Sequence, residues 1–166
     1  MGWISAGKFH AWDGVIDITD PCYDQDVWAR LNGVRVRRGT YNANYFLGDN
    51  GRIEKIAIAH ISINSTMNLE TLYKDVDYIG DIAVDAGLAG FFISPKPDYD
   101  QKEWQKICDG LATDRPAVSL NSQGFFTSSG WGDGLYGVFG KIVDGEFVSL
   151  FIDFIVAEDD FYGKKE

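Results

Sequence analysis

Cysteine is scarce: Cys22 and Cys108 are the only two in 166 residues. Two cysteines cannot build the disulfide framework of a small secreted domain, and neither sits in a CxxC ligand pair. No run of 18 apolar residues occurs, so no segment reads as a membrane-spanning helix. The opening MGWISAGKFH lacks the apolar stretch of a secretion signal, so the expected setting is the cytoplasm, with no membrane association. Positive charge is also short. Lys and Arg total 15 against 25 Asp and Glu, a formal net charge of -10. Such a surface repels phosphates, which argues against general nucleic-acid binding and points instead to a basic protein partner. Histidine is limited to His10 and His60, which restricts acid–base and metal chemistry.

What is present is ordinary in bulk and unusual in detail. Hydrophobic residues at 45% and charged residues at 24% exclude a disordered chain. No repeat or linker divides the sequence, so residues 1–157 read as one globular domain and 158–166 as a charged tail that frays. Five Trp, eight Tyr, eleven Phe and nineteen Gly favour sheets and tight turns over a helix bundle.

Alternation and turn residues then place the elements. Gly14 to Thr19 alternates as a half-buried strand and runs into Asp20-Pro21, where the ladder must stop. Asp24 to Leu31 reads as a short helix ended by Asn32-Gly33. Tyr41–Leu47 and Arg52–Ile63 read as strands joined through Gly48-Asp49-Asn50-Gly51. On the second, Ile53, Lys55, Ala57, Ala59 and Ile61 share one face, and Ile56, Ile58, His60 and Ser62 the other. Gly80–Asp85, Gly90–Ile93 and Gly124–Thr127 add strands, and Tyr136–Val143 pairs with Glu146–Ile155 across Asp144-Gly145. One helix is expected over residues 100–111, with Asp100 as N-cap, Glu103 completing a capping box, and Trp104, Ile107, Cys108 and Leu111 as its buried stripe. The predicted class is α+β, mainly antiparallel β, as a curled sheet or a barrel-like sandwich with that helix packed against it.

Three segments carry more polar chemistry than folding requires: Asp17-Ile18-Thr19-Asp20-Pro21-Cys22-Tyr23, Val84-Asp85-Ala86-Gly87, and Thr127-Ser128-Ser129-Gly130-Trp131-Gly132-Asp133-Gly134. In this order, DPCY, VDAG and GDG resemble the motifs of a family of small bacterial and phage-borne proteins, a domain of unknown function. The resemblance covers Ile16 to Ile155, with Trp131 where that family has tyrosine. It implies relatives rather than an activity, and carriage on mobile elements suggests a part in conflict between phage and host.

Chemically, Asp20, Cys22, Asp85, Asp133 and His60 could supply ligands to a divalent metal such as zinc, each from a different strand. The bland alternative makes Asp20 and Asp133 turn residues and Cys22 a small buried hydrophobe. Cys22 as nucleophile, with His60 or His10 as base and Asp17 or Asp85 as orienter, lacks the local signature of any cysteine hydrolase. The backbone of Ser128, Ser129, Gly130, Trp131, Gly132 and Gly134 could cradle a small ligand, although no phosphate-loop fingerprint surrounds it. The basic run Val34 to Arg38 is the expected signature of a protected, solvated edge strand.

Size, acidity and aromatic content favour a non-enzymatic binding protein over an enzyme. Its expected partner is a basic nucleic-acid-binding protein or nuclease, which it would inhibit in an anti-defence, anti-CRISPR-like or toxin-immunity role. The competing reading is a metal- or small-ligand-binding protein, a hydrolase or a sponge for a signalling nucleotide, with its site where the three motifs meet.

Overall fold

The computed structural model describes residues 2–21, 29–49, 54–63, 72–84, 88–94, 102, 117–119, 124–129 and 134–154. Of these, 78% lie in strands, and no helix occurs among them, which corrects the α+β expectation. The described part is nearly all antiparallel β, and its sheets do not close into a barrel. The helix expected over 100–111 lies outside the described residues except at Lys102, a single residue in helical conformation. The one expected over Asp24–Leu31 lies outside them as far as Trp28, then gives bends at Ala29 and Arg30 and a strand from Leu31.

Among the described residues eleven strands form two sheets. In chain order they are Gly2–Ala11 (β1), Val15–Thr19 (β2), Leu31–Arg35 (β3), Gly39–Asp49 (β4), Glu54–Ser62 (β5) and Asp77–Val84 (β6). Leu88–Ile93 (β7), Ala117–Ser119 (β8), Gly124–Ser128 (β9), Gly134–Val143 (β10) and Glu146–Asp153 (β11) follow. One sheet has the order β1-β4-β5-β11-β10-β6 and the other β3-β2-β7-β9-β8. Every ladder between them is antiparallel.

The inward faces of both sheets meet in one core. Phe9, Tyr41, Ala59, Ile61, Ile82, Val138, Leu150 and Ile152 come from the six-stranded sheet, and Ile16, Ile18, Phe91 and Phe125 from the five-stranded one. This is the sandwich arrangement, in which alternate residues of each strand interdigitate between layers. Central strand β5 is buried on both faces from Ile56 to Ser62. Its alternation is broken at Ala57, an extra residue in the β4–β5 ladder, which turns Ile56 to the same core as Ala59 and Ile61. Ala57 packs instead with Ile58 and Phe151. The hairpin between β10 and β11 turns on Asp144 and Gly145, both at positive φ (54° and 82°), the geometry that matches strand twist.

Close approach sets one further residue choice. A Cβ at Gly90 would lie 2.2 Å from the Phe125 carbonyl oxygen and 2.4 Å from Phe126 Cβ, so β7 and β9 pair here only because the side chain is absent. Gly90→Ala is therefore expected to destabilise the fold by about 2 kcal/mol, a typical overpacking cost. The check is the midpoint of urea unfolding, and an unchanged midpoint would contradict this packing.

Candidate functional site

The three motifs converge at one end of the sandwich. β2 ends at Thr19, opposite Gly90. β7 starts at Leu88, opposite Ser128 at the end of β9. β6 ends at Val84, opposite Gly134 at the start of β10. Asp20, Ser128, Ser129 and Gly134 thus leave the fold together. Asp20 and Ser129 are fully buried, and both are engaged in contacts. Two hydroxyls stabilise the strand ends, Thr19 Oγ1 donating to the Asp20 carbonyl at 3.0 Å and Thr127 Oγ1 to that of Ser128 at 2.8 Å. Cys22, Asp85, Gly130, Trp131, Gly132 and Asp133 lie outside the described residues.

His60 does not join this end. It stands on β5 with its side chain on the outer face of the six-stranded sheet, tilted against Trp3 at 5.4 Å between ring centroids. A sheet and the core separate it from Asp20, so the expected zinc set of Asp20, Cys22, Asp85, Asp133 and His60 is not one cluster. Among the described residues no group of three or more His, Cys, Asp or Glu could hold a metal. Burial lowers the His60 pKa to about 4, because the imidazolium would lose its hydration there. His60 Nδ1 and Trp3 Nε1 are both buried without a hydrogen-bond partner.

Asp17 has a different task from orienting a catalytic histidine. Ile16 and Ile18 enter the core, so Asp17 points the other way, away from the sheet that carries both histidines. Its carboxylate accepts from Arg30 Nη2 at 3.0 Å and from the Gly33 backbone N–H at 3.0 Å, with both charged side chains at 0% exposure. Arg30 Nε donates to Asn32 Oδ1 at 2.5 Å. This buried pair ties β2 to the bend before β3. The proposed arrangement of Cys22, a histidine and Asp17 is therefore not assembled by the described residues.

The basic run behaves partly as expected. β3 is an edge strand, and Arg35 is exposed. Arg37 crosses to the other sheet, with ion pairs to Asp144 at 4.0 Å and Glu146 at 3.9 Å, and its Nη2 donates to the Val143 carbonyl. Its backbone N–H reaches the Phe147 carbonyl at 2.9 Å, and the Tyr41 hydroxyl donates to the Arg37 carbonyl. Burial pushes the Tyr41 phenol up to about 12, so it stays a donor.

The surface that the sequence reading did not single out is the β6 edge. Here the outer face of the six-stranded sheet carries a row of rings, His60, Phe151, Phe139 and Tyr78, opposite one another on adjacent strands. Phe139 and Phe151 stack at 5.3 Å, and Tyr73 meets Phe151 edge-on while its hydroxyl donates to Asp153 Oδ2 at 2.9 Å. The row emerges at Tyr78, which is 58% exposed. Along the chain on either side of it Asp75, Asp77 and Asp81 are exposed, as are Tyr73 and Lys74. A hydrogen bond to the Asp81 carboxylate, with minor desolvation, raises the Tyr78 phenol above its ordinary pKa. The far half of the strand is closed, because Ala83 N–H donates to the Ala29 carbonyl at 2.9 Å and Leu31 lies against Gly80. The open edge from Asp77 to Ile79 thus carries Asp77 and Tyr78, with Asp75 before it and Asp81 after it. A cluster of two tyrosines and three aspartates against one lysine, from Tyr73 to Asp81, is the signal that could have found it.

Among the described residues no helix is long and apolar enough to cross a membrane. No family model, curated protein or solved structure matches the chain.

Proposed function

We propose that this is an acidic binding protein that holds a basic, extended segment of a partner protein along the β6 edge. The observation that carries the reading is an exposed tyrosine set between carboxylates on an edge strand, in a chain of net charge -10. Exposed ion pairs are worth only roughly 0.2–1 kcal/mol each, so Asp75, Asp77 and Asp81 steer and orient a partner more than they hold it. Grip comes from the aromatic row, where Tyr78 offers a ring face to a guanidinium or ammonium group, and from the edge backbone. A segment rich in Arg and Lys is what a nuclease or nucleic-acid-binding protein presents to phosphates. Occupying it would inhibit that protein, which is the anti-defence or toxin-immunity form of the reading.

The test is fluorescence anisotropy with a labelled extended peptide that alternates arginine with threonine. Saturable binding that weakens with salt is expected, with at least a tenfold loss for Tyr78→Ala combined with Asp81→Asn. Binding that ignores those substitutions, or no binding at low salt, would overturn the assignment of this edge. The convergence of the motif ends favours a second reading, a small-ligand site around Asp20, Ser128, Ser129 and Gly134. Native mass spectrometry of gently purified protein tests it: an added mass lost on Asp20→Ala supports the site, and a clean apo mass removes it.

A further inference from the structure

The end of the sandwich where β1 passes to β2 carries a second exposed aromatic of different character. Trp12 is 58% exposed, yet it is held in place by His10, which stacks on it at 4.8 Å between centroids with the rings 6° from parallel. His10 is itself anchored, its Nδ1 lying 3.0 Å from Thr40 Oγ1 across the β1–β4 ladder. The indole sits in a tight turn closed by the Gly14 N–H to Ala11 carbonyl bond at 3.3 Å. One face of the ring is therefore covered and positioned by the fold, while most of the residue stays in solvent. An aromatic platform that is rigid and wet is poor for folding and well suited to stacking a flat ligand.

Cationic groups adjoin it. The β1–β4 register ends at Ala11 opposite Gly39, so Trp12 and Arg38 are the residues that flank this last pair on the two strands. The Arg38 stem lies against the same turn, since a Cβ at Gly14 would meet Arg38 Cγ at 3.1 Å. Arg35 follows on β3, opposite Val15. Arg35 and Arg38 are both exposed, and among the described residues neither makes an ion pair, whereas Arg37 between them makes two. Guanidinium groups that pair with no carboxylate among the described residues mark a place for an external anion.

We propose that this corner binds a nucleoside monophosphate, its base stacked on Trp12 and its phosphate held by Arg38 with Arg35 behind it. The net charge of -10 selects against a polyanion and leaves a ligand that carries a single phosphate. This site is separate from the β6 edge and does not rest on the reading given to that edge.

Isothermal titration calorimetry of the full chain at low ionic strength separates the two contacts, using AMP, adenosine and ribose 5-phosphate as probes. AMP is expected to bind at least tenfold more tightly than either of the others. Trp12→Ala should abolish binding of both AMP and adenosine, and Trp12→Phe should retain most of it. Arg38→Ala should reduce AMP to the affinity of adenosine and leave adenosine unchanged. Trp12 and Arg38 are exposed, so the variants should keep the wild-type circular dichroism spectrum, which is recorded alongside. No saturable heat with AMP, equal affinities for AMP and adenosine, or AMP binding unaffected by Trp12→Ala would each overturn the proposal.

Discussion

Replacing Asp17 by alanine is expected to cost about 3–5 kcal/mol of folding stability, a large part of what a domain of this size possesses. The reason is the charge left behind. Arg30 is as fully buried as Asp17, and the substitution removes the carboxylate that meets its guanidinium at 3.0 Å. The Gly33 N–H loses its acceptor at the same time. Asp17→Asn should fall between the two, since an amide oxygen can accept one of these bonds without balancing the charge. Replacing both partners together, Asp17→Leu with Arg30→Met, should recover much of the loss, because a buried pair repays little more than its own desolvation. Equilibrium urea unfolding of the four proteins provides the measurement. A single-variant cost below 1 kcal/mol would show that the pair is hydrated and not buried.

Acidification is expected to weaken the fold through His60. Its folded pKa, about 4, lies below the ordinary 6.5, so the unfolded chain takes up a proton that the folded chain refuses. Above about pH 6.5 both states are neutral at this position and His60 has no effect on the pH dependence. As pH falls from there towards 4 stability declines, by a total on the order of 3 kcal/mol from this group alone. Carboxylates titrate in part of the same range, so the informative quantity is the difference between wild type and His60→Leu. Wild type should lose stability faster than the variant between pH 6.5 and 4, and parallel curves would mean that the imidazole is hydrated. Trp3 and Phe46, which meet edge-on at 5.2 Å, enclose this region and exclude the water that would solvate the charge.

Turn chemistry and alternation made much of the sheet legible in advance. Asp144-Gly145 announced the β10–β11 hairpin because both positions need positive φ, and β4 pairs with β5 as read, although Gly48 and Asp49, read as turn, belong to the ladder opposite Lys55 and Glu54. β1 was not read as a strand. Its ladder shifts register between Ser5 and Gly7, so its apolar residues fall out of phase and no period of two persists. The same physics moved Ile56 to the core side of β5, since a bulge is decided by the partner strand and not by local sequence. The ion pair was hidden because Asp17 and Arg30 are 13 residues apart and Arg30 lies in a stretch that reads as helix.

The candidate sites were legible to different degrees. Sequence order grouped the DPCY, VDAG and GDG motifs, and the strand registers bring Asp20, Ser128, Ser129 and Gly134 to one end. His60 was drawn into that set by residue type alone, whereas the register puts it opposite Phe151 on the far face. The β6 edge was missed for a complementary reason. Read as beginning at Gly80, the strand left Asp77 and Tyr78 in a connection, although β6 starts at Asp77. Which strand forms the edge of a sheet depends on topology, and spacing does not encode topology.

The central claim is that the β6 edge receives a basic partner, and amide hydrogen exchange with and without the arginine–threonine peptide tests it most directly. The account predicts slower exchange in Asp77–Val84, strongest towards Asp77–Ile79, with little change at the ends of β2 and β9. Protection confined to those ends, or none in β6, would contradict it.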